Sequence, residues 1–128
     1  MPGGAKCSTT SLGQAAEREA EAFLAQRGYQ LITRNYRCRR GEIDLVAYHD
    51  HTLVFVEVRC RRKGTPAAAA SVDQHKMRRI AIAASHYLRS HPTNAPCRFD
   101  VVCLTKQQDG TFAVPELLPD AFSLNDLY

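Results

Sequence analysis

Apolar and polar positions along this chain follow two periods, and the points where the period changes mark out its elements. Over 11–27 the apolar residues Leu12, Ala16, Ala20, Phe23 and Leu24 recur at helical spacing, and Gly28 supplies the stop. A strand is expected near 29–33. Two further strands are expected at 42–48 and 53–59, where the apolar runs Ile43-Asp44-Leu45-Val46-Ala47 and Leu53-Val54-Phe55-Val56 stand. The polar stretch Tyr48-His49-Asp50-His51-Thr52 between them is short enough for a hairpin loop. Gly64-Thr65-Pro66 then breaks the pattern, and the alanines at 67–70 either open a helix or form a loop that orders on binding. Ser71 with Gln74 three residues on resembles a capping box. A second helix is predicted over 72–89 with the stripe Val72, Ile80, Ala83, Ala84, Tyr87 and Leu88, ended by Pro92. The segment 98–104 reads as a buried strand, and Asp109-Gly110 as a turn before a weaker strand at 111–114. Pro115 and Pro119 make the remainder a loop with a short helical turn near Phe122.

The element order is therefore α-β-β-β-α-β with a late extra strand. It predicts the α/β class: a mixed sheet flanked by helices, its first three strands an antiparallel meander. Residues 1–10 are expected to be a disordered tail and 11–128 a single domain, consistent with a 128-residue chain.

Strand alternation carries the chemistry. Val54, Val56 and Val58 point one way, and Phe55, Glu57 and Arg59 the other. If the hairpin folds back, Asp44 comes close to Glu57, and two carboxylates meet a fixed cation on one sheet face. Such a pair suits Mg²⁺, a hard cation that takes one or two carboxylates and completes its shell with water and substrate phosphate. The plainer alternative is that Asp44 and Glu57 pair with Arg59 and Arg61. A strand as apolar as 53–58 tends to be central, however, and an acid there is costly unless compensated. Glu42 shares the parity of Asp44 and is a supporting acid: an outer-sphere ligand, an arginine partner or an anchor for the preceding loop. Glu17 and Glu19 flank the apolar stripe of the first helix, and spacing does not choose between them. Gln74 and Lys76 stand at the start of the second helix, where a phosphate is favoured.

The net charge of +4 says little until its distribution is considered. Arg34, Arg37, Arg39, Arg40, Arg59, Arg61, Arg62 and Lys63 place eight of the seventeen Lys/Arg in two blocks flanking the hairpin. That is a footprint for a phosphate backbone. No apolar run approaches the length of a membrane span, and the N-terminus lacks a secretory hydrophobic segment, so a cytoplasmic location is expected. The five cysteines show no C-x-x-C spacing and are expected to be thiols. His49 and His51 are expected to be solvated turn residues.

Gly13-Gln14-Ala15-Ala16-Glu17-Arg18-Glu19, Gly28-Tyr29, Arg40-Gly41-Glu42-Ile43-Asp44-Leu45-Val46, Phe55-Val56-Glu57-Val58-Arg59 and Arg98-Phe99-Asp100-Val101-Val102 together resemble the YraN-type family, bacterial and functionally uncharacterised. The resemblance spans roughly 11–105. More distantly, Glu17…Asp44…Glu57-x-Arg59 looks like the PD-(D/E)xK nuclease signature, nearest to the archaeal Holliday-junction resolvases. This implies a restriction-endonuclease-like core, with Glu17 rather than Glu19 as the helical acid and Asp44 and Glu57 as ligands of Mg²⁺ or Mn²⁺. It further implies phosphodiester hydrolysis on branched or structured DNA, in repair or recombination, by a chain that can work as a two-fold homodimer. Arg37, Arg39, Arg40, Arg61, Arg62, Lys63, Gln74 and Lys76 would contact nucleic acid, Gln74 near a position where some superfamily members use a helix-two Gln. One departure stands out. The superfamily's lysine is Arg59 here, and arginine stays protonated where lysine can give up its proton. The alternative function is thus a nucleic-acid-binding module, or an interaction domain of a DNA-processing complex, without cleavage.

Overall fold

The computed structural model describes residues 11–64 and 73–122. The elements are α1 (Ser11–Gln26), β1 (Gln30–Cys38), β2 (Gly41–His49), β3 (Thr52–Arg62), α2 (Gln74–Ser90), β4 (Cys97–Lys106) and β5 (Glu116–Phe122). They build one five-stranded sheet in the order β1-β2-β3-β4-β5. The first three strands form the expected antiparallel meander, β3 and β4 run parallel, and β5 returns antiparallel. A parallel neighbour cannot be reached by a tight turn, and α2 lies in the crossover that connects β3 to β4.

Each face of the sheet carries its own core. Ala16, Ala20 and Leu24 of α1 pack with Leu45, Ala47, Val54, Val56, Val58, Val102 and Leu104. On the other face Ile80, Ala83, Ala84 and Tyr87 of α2 pack with Ile43, Val46, Leu53, Phe55 and Phe99. Small residues on both helices let them lie close to the sheet. Central β3 is consequently buried on both sides, from Leu53 through Cys60, as a continuous apolar run foretells.

Several expectations need correction. β1 extends to Cys38, well past 33, because it is a largely exposed edge strand whose polar residues mask the alternation. The hairpin loop shrinks to Asp50 and His51, both at positive φ (49° and 65°), between the paired His49 and Thr52. Two left-handed residues match the twist of adjoining strands, so a two-residue turn suffices. α2 starts at Gln74, with Asp73 as its N-cap accepting from the Lys76 amide at 2.8 Å. The expected 111–114 strand is a single bridge, Lys106↔Phe112. The true fifth strand is 116–122, expected to be loop and helical turn; Pro119 falls in the register shift between the paired residues Leu118 and Phe122, where the regular ladder is interrupted and needs no amide donor from it. Cys38, Cys97 and Cys103 are free thiols, whereas Cys60 is disulfide-bonded, so the all-thiol expectation fails there. The expected tail at 1–10, the alanine run and Ser71 lie outside the described residues. Among the described residues no helix is long and apolar enough to cross a membrane.

Candidate functional site

The β2–β3 ladder ends at Leu45↔Val56. One step further, antiparallel register would set Asp44 against Glu57, and at that point the two strands part while β3 remains paired with β4 as far as Arg62↔Lys106. The Val58 amide, which the β2 ladder no longer serves, donates to Asp44 Oδ2 at 2.8 Å. Asp44 is thus fixed in the opening between the two strands by a main-chain donor. Asp44 is 4% exposed, Glu57 1% and Arg59 6%, so two acids and a cation are held in a largely water-excluded place.

β2 is irregular at this spot. Ile43 packs in the α2-side core, whereas Leu45, of the same parity, packs in the α1-side core. Across the sheet, Arg34 pairs with Leu45 and Tyr36 with Ile43, which leaves Asn35, at φ 51°, opposite Asp44. Alternation therefore does not run unbroken through Asp44, and strand parity cannot relate Glu42 to it. Glu42 is located instead by its cations. Its carboxylate lies 3.9 Å from Arg37 Nε and 3.5 Å from Lys76 Nζ. Lys76 reaches on to Glu57, with Nζ 3.8 Å from Oε2. Following Leu53 and Phe55, Glu57 and Arg59 have the parity of the α2 face, which is where Lys76 comes from.

The turn before β2 is pressed onto α2. A Cβ at Gly41 would lie 2.2 Å from the Arg79 carbonyl oxygen and 2.9 Å from the Ala83 nitrogen. Only glycine allows this approach, and it anchors the exposed Arg39-Arg40 turn beside the α2 residues Arg78 and Arg79. Arg78 is exposed and Arg79 half-buried, and neither was singled out from the sequence, because helix-borne charges look like ordinary solvated surface. Of the expected phosphate contacts, Arg37, Arg39, Arg40, Arg62, Lys63 and Gln74 are exposed. Arg61 is half-buried, with Nε 3.3 Å from Thr105 Oγ1. Arg34 is bound to Glu21 of α1 at 2.6 Å, so it serves the helix–strand contact. Glu17 is half-buried on α1, next to the core residue Ala16, and so belongs to the α1 layer rather than the α2 layer.

The donor set fits a hard divalent cation. Asp44 and Glu57 supply oxygen donors, and such an ion needs one or two carboxylates. Among the described residues no group of three His, Cys, Asp or Glu side chains gathers as a self-sufficient metal centre.

A second polar cluster lies on the α1 side. Asp100 is fully buried and accepts from the Tyr29 hydroxyl (2.7 Å), Arg98 Nε (2.9 Å) and the Asp120 amide (2.9 Å). Arg98 Nη2 also reaches Tyr29 Oη at 2.9 Å and His49 Nδ1 at 3.0 Å, and the His49 ring stacks on Tyr29 at 4.2 Å. His49 is therefore part of a buried network rather than the solvated turn residue expected; His51 is exposed as expected. Burial, then the hydrogen bond to Asp100, push the Tyr29 phenol from 10.0 up to about 12. The fold favours the neutral phenol. This stabilisation is whole below pH 10 and is lost as pH rises through about 12. Tyr29→Phe is expected to cost about 1–2 kcal/mol at neutral pH. It should also flatten the decline in stability above pH 10, measured as urea midpoints against pH beside the parent. An equally steep decline in the variant would show that Tyr29 is not its source.

Comparison with known proteins gives a consistent family. A model described as "Uncharacterised protein family UPF0102" matches residues 16–104. A UPF0102 protein of Hahella chejuensis is 42% identical over 125 residues, spanning 96% of this chain and 98% of its own length. One from Methylobacillus flagellatus is 47% identical over 114 residues, 88% of this chain and 96% of its own. One from Cupriavidus metallidurans is 50% identical over 106 residues, 81% and 79% respectively.

Proposed function

The chain belongs to the uncharacterised family UPF0102, and we propose that it is a metal-dependent endonuclease of the PD-(D/E)xK type that hydrolyses phosphodiesters in branched or structured DNA. The fold would then be the restriction-endonuclease-like core, and the YraN-type resemblance would be the same relationship seen from the sequence. The observation that carries this proposal is that buried Asp44 accepts from the amide of Val58, the residue next to buried Glu57, where the β2–β3 ladder ends, with the Lys76 ammonium beside Glu57.

Asp44 and Glu57 would hold Mg²⁺ or Mn²⁺, and Glu17 would approach from α1. When bound, the ion supplies Lewis-acid polarisation of the phosphoryl oxygen. The residues of the chain do the rest. The Val58 amide orients Asp44, so the site is arranged before substrate arrives. Arg59 brings a permanent charge toward the phosphate but accepts no proton. The Arg39-Arg40 turn, Arg61-Arg62-Lys63 and the start of α2 hold the backbone of the nucleic acid, positioning it without specifying sequence. Hydrolysis consumes one water: its oxygen bonds to phosphorus, the ester bond to the departing strand breaks, and the departing oxygen ends as a hydroxyl. A two-fold junction would suit two copies of the chain.

The test is incubation of the purified protein with labelled four-way junctions and flaps in Mg²⁺ or Mn²⁺. Nicking is expected from the parent and background from Asp44→Ala combined with Glu57→Ala. Parent and double variant at the same level would sink the nuclease proposal. Arg59 favours a second reading, a module that binds nucleic acid without cutting it. That module would show salt-dependent binding that survives Asp44→Ala, with cleavage gained only on Arg59→Lys.

A further inference from the structure

The site has an amine, but it does not come from β3. Of the lysines in the described residues, Lys63 is exposed beyond the end of β3 and Lys106 closes β4. Lys76 differs from both. It sits in the first turn of α2, its own amide fixed by the Asp73 cap at 2.8 Å. Its side chain is 18% exposed, and Nζ lies 3.5 Å from Glu42 Oε2 and 3.8 Å from Glu57 Oε2. The helix start and the parity of β3 thus bring one ammonium between two acids, one of them buried.

Resting on the nuclease proposal, we infer that Lys76 is the lysine of this site. It positions the Glu57 carboxylate and presents its ammonium to the scissile phosphate, beside the permanent charge that Arg59 brings. A compact, rotatable ammonium suits this better than a guanidinium, whose planar fork is committed to fixed directions. An ammonium this close to Glu57 also repels a divalent cation bound by the same carboxylate. Lys76 therefore has two effects of opposite sign: it weakens cation binding and strengthens stabilisation of charge on the reacting phosphate. A lysine serving only to neutralise buried Glu57 would share the first effect and lack the second: its removal would free the carboxylate for the cation without a loss of cleavage at saturating metal.

The experiment titrates Mn²⁺ calorimetrically into the nucleic-acid-free parent, Lys76→Met and Lys76→Arg, then measures single-turnover cleavage of the junction by each. Lys76→Met is expected to bind Mn²⁺ about three- to tenfold more tightly, from loss of a like charge near the ion. Its cleavage is expected to fall about 10²-fold, the scale for losing one preorganised electrostatic contact. Lys76→Arg, which keeps the charge and the ion pair, should bind Mn²⁺ like the parent and cleave at an intermediate rate. Mn²⁺ binding by Lys76→Met that is unchanged or weaker would overturn the inference, as would cleavage within about threefold of the parent. If the parent cleaves no substrate, it is the nuclease proposal that fails. The calorimetric arm still decides whether Lys76 faces the cation position, because it needs no turnover.

Discussion

Asp100→Ala is expected to lower the stability of this fold by about 3–5 kcal/mol, the scale for removing one partner from a buried ion pair. Asp100 has no solvent exposure and gathers Tyr29, Arg98 and the Asp120 amide around its two oxygens. Alanine would leave the Arg98 guanidinium, half-buried between β4 and the hairpin, facing a void. It would also strand the Asp120 amide, which sits at a register shift where β5 and β4 lose regular pairing. The network ties the start of β1, the β2–β3 turn, β4 and β5 into one unit, so the loss should appear as cooperative destabilisation. Asp100→Asn keeps the shape and some acceptor capacity, and should cost roughly 1–3 kcal/mol. Urea unfolding of both variants checks this. A midpoint for Asp100→Ala within error of the parent would mean that the network is ornamental.

Gly41→Ala is the second large effect. The added methyl would stand 2.2 Å from a carbonyl oxygen and 2.9 Å from a backbone nitrogen of α2. Neither is the end of a flexible side chain, so helix and strand must separate. A cost of about 2–3 kcal/mol or more is expected, at the upper end for overpacking. Function should suffer beyond stability, because the same displacement draws Glu42 away from Lys76 and shifts the arginine turn. Gly28→Ala is the matched control. Gly28 has φ +88° with nothing near its missing Cβ, so alanine there incurs only left-handed backbone strain, about 1 kcal/mol. Thermal melts of the two variants should therefore differ clearly, and equal losses would show that the contact with α2 is not tight. Nucleic-acid affinity, measured below the melting range, should fall for Gly41→Ala alone.

Much of this was visible in the residues. The runs 42–48 and 53–59 have the composition and length of buried strands, and the short polar stretch between them left the hairpin as the simplest connection. The expectation that Asp44, Glu57 and Arg59 meet rests on local rules, alternation along β3 and an antiparallel return from β2; the structure holds Asp44 on the Val58 amide and buries all three residues. The helix positions followed from their apolar stripes. What was not legible depended on partners far away in the chain. β5 carries two prolines at or near it and is strand only because β4 offers an edge to pair with. His49 looked like a turn residue because neither Arg98 nor Tyr29 is near it in sequence. Glu42 was linked to Asp44 by parity, and that failed because the irregularity at Asp44 interrupts the alternation.

The amino-acid sequence by itself determined the inventory: two amphipathic helices, a central strand apolar on both faces, the acids of the site and the absence of a lysine two residues after Glu57. These depend on periods of two and 3.6 and on residue identity, which are local properties. Tertiary structure alone decided where β2 and β3 part, which amide holds Asp44 and that α2 brings Lys76 to Glu57. Those outcomes arise from how long each ladder persists and how closely a helix can approach a glycine. Both are set by packing between segments tens of residues apart, a balance that no local pattern records.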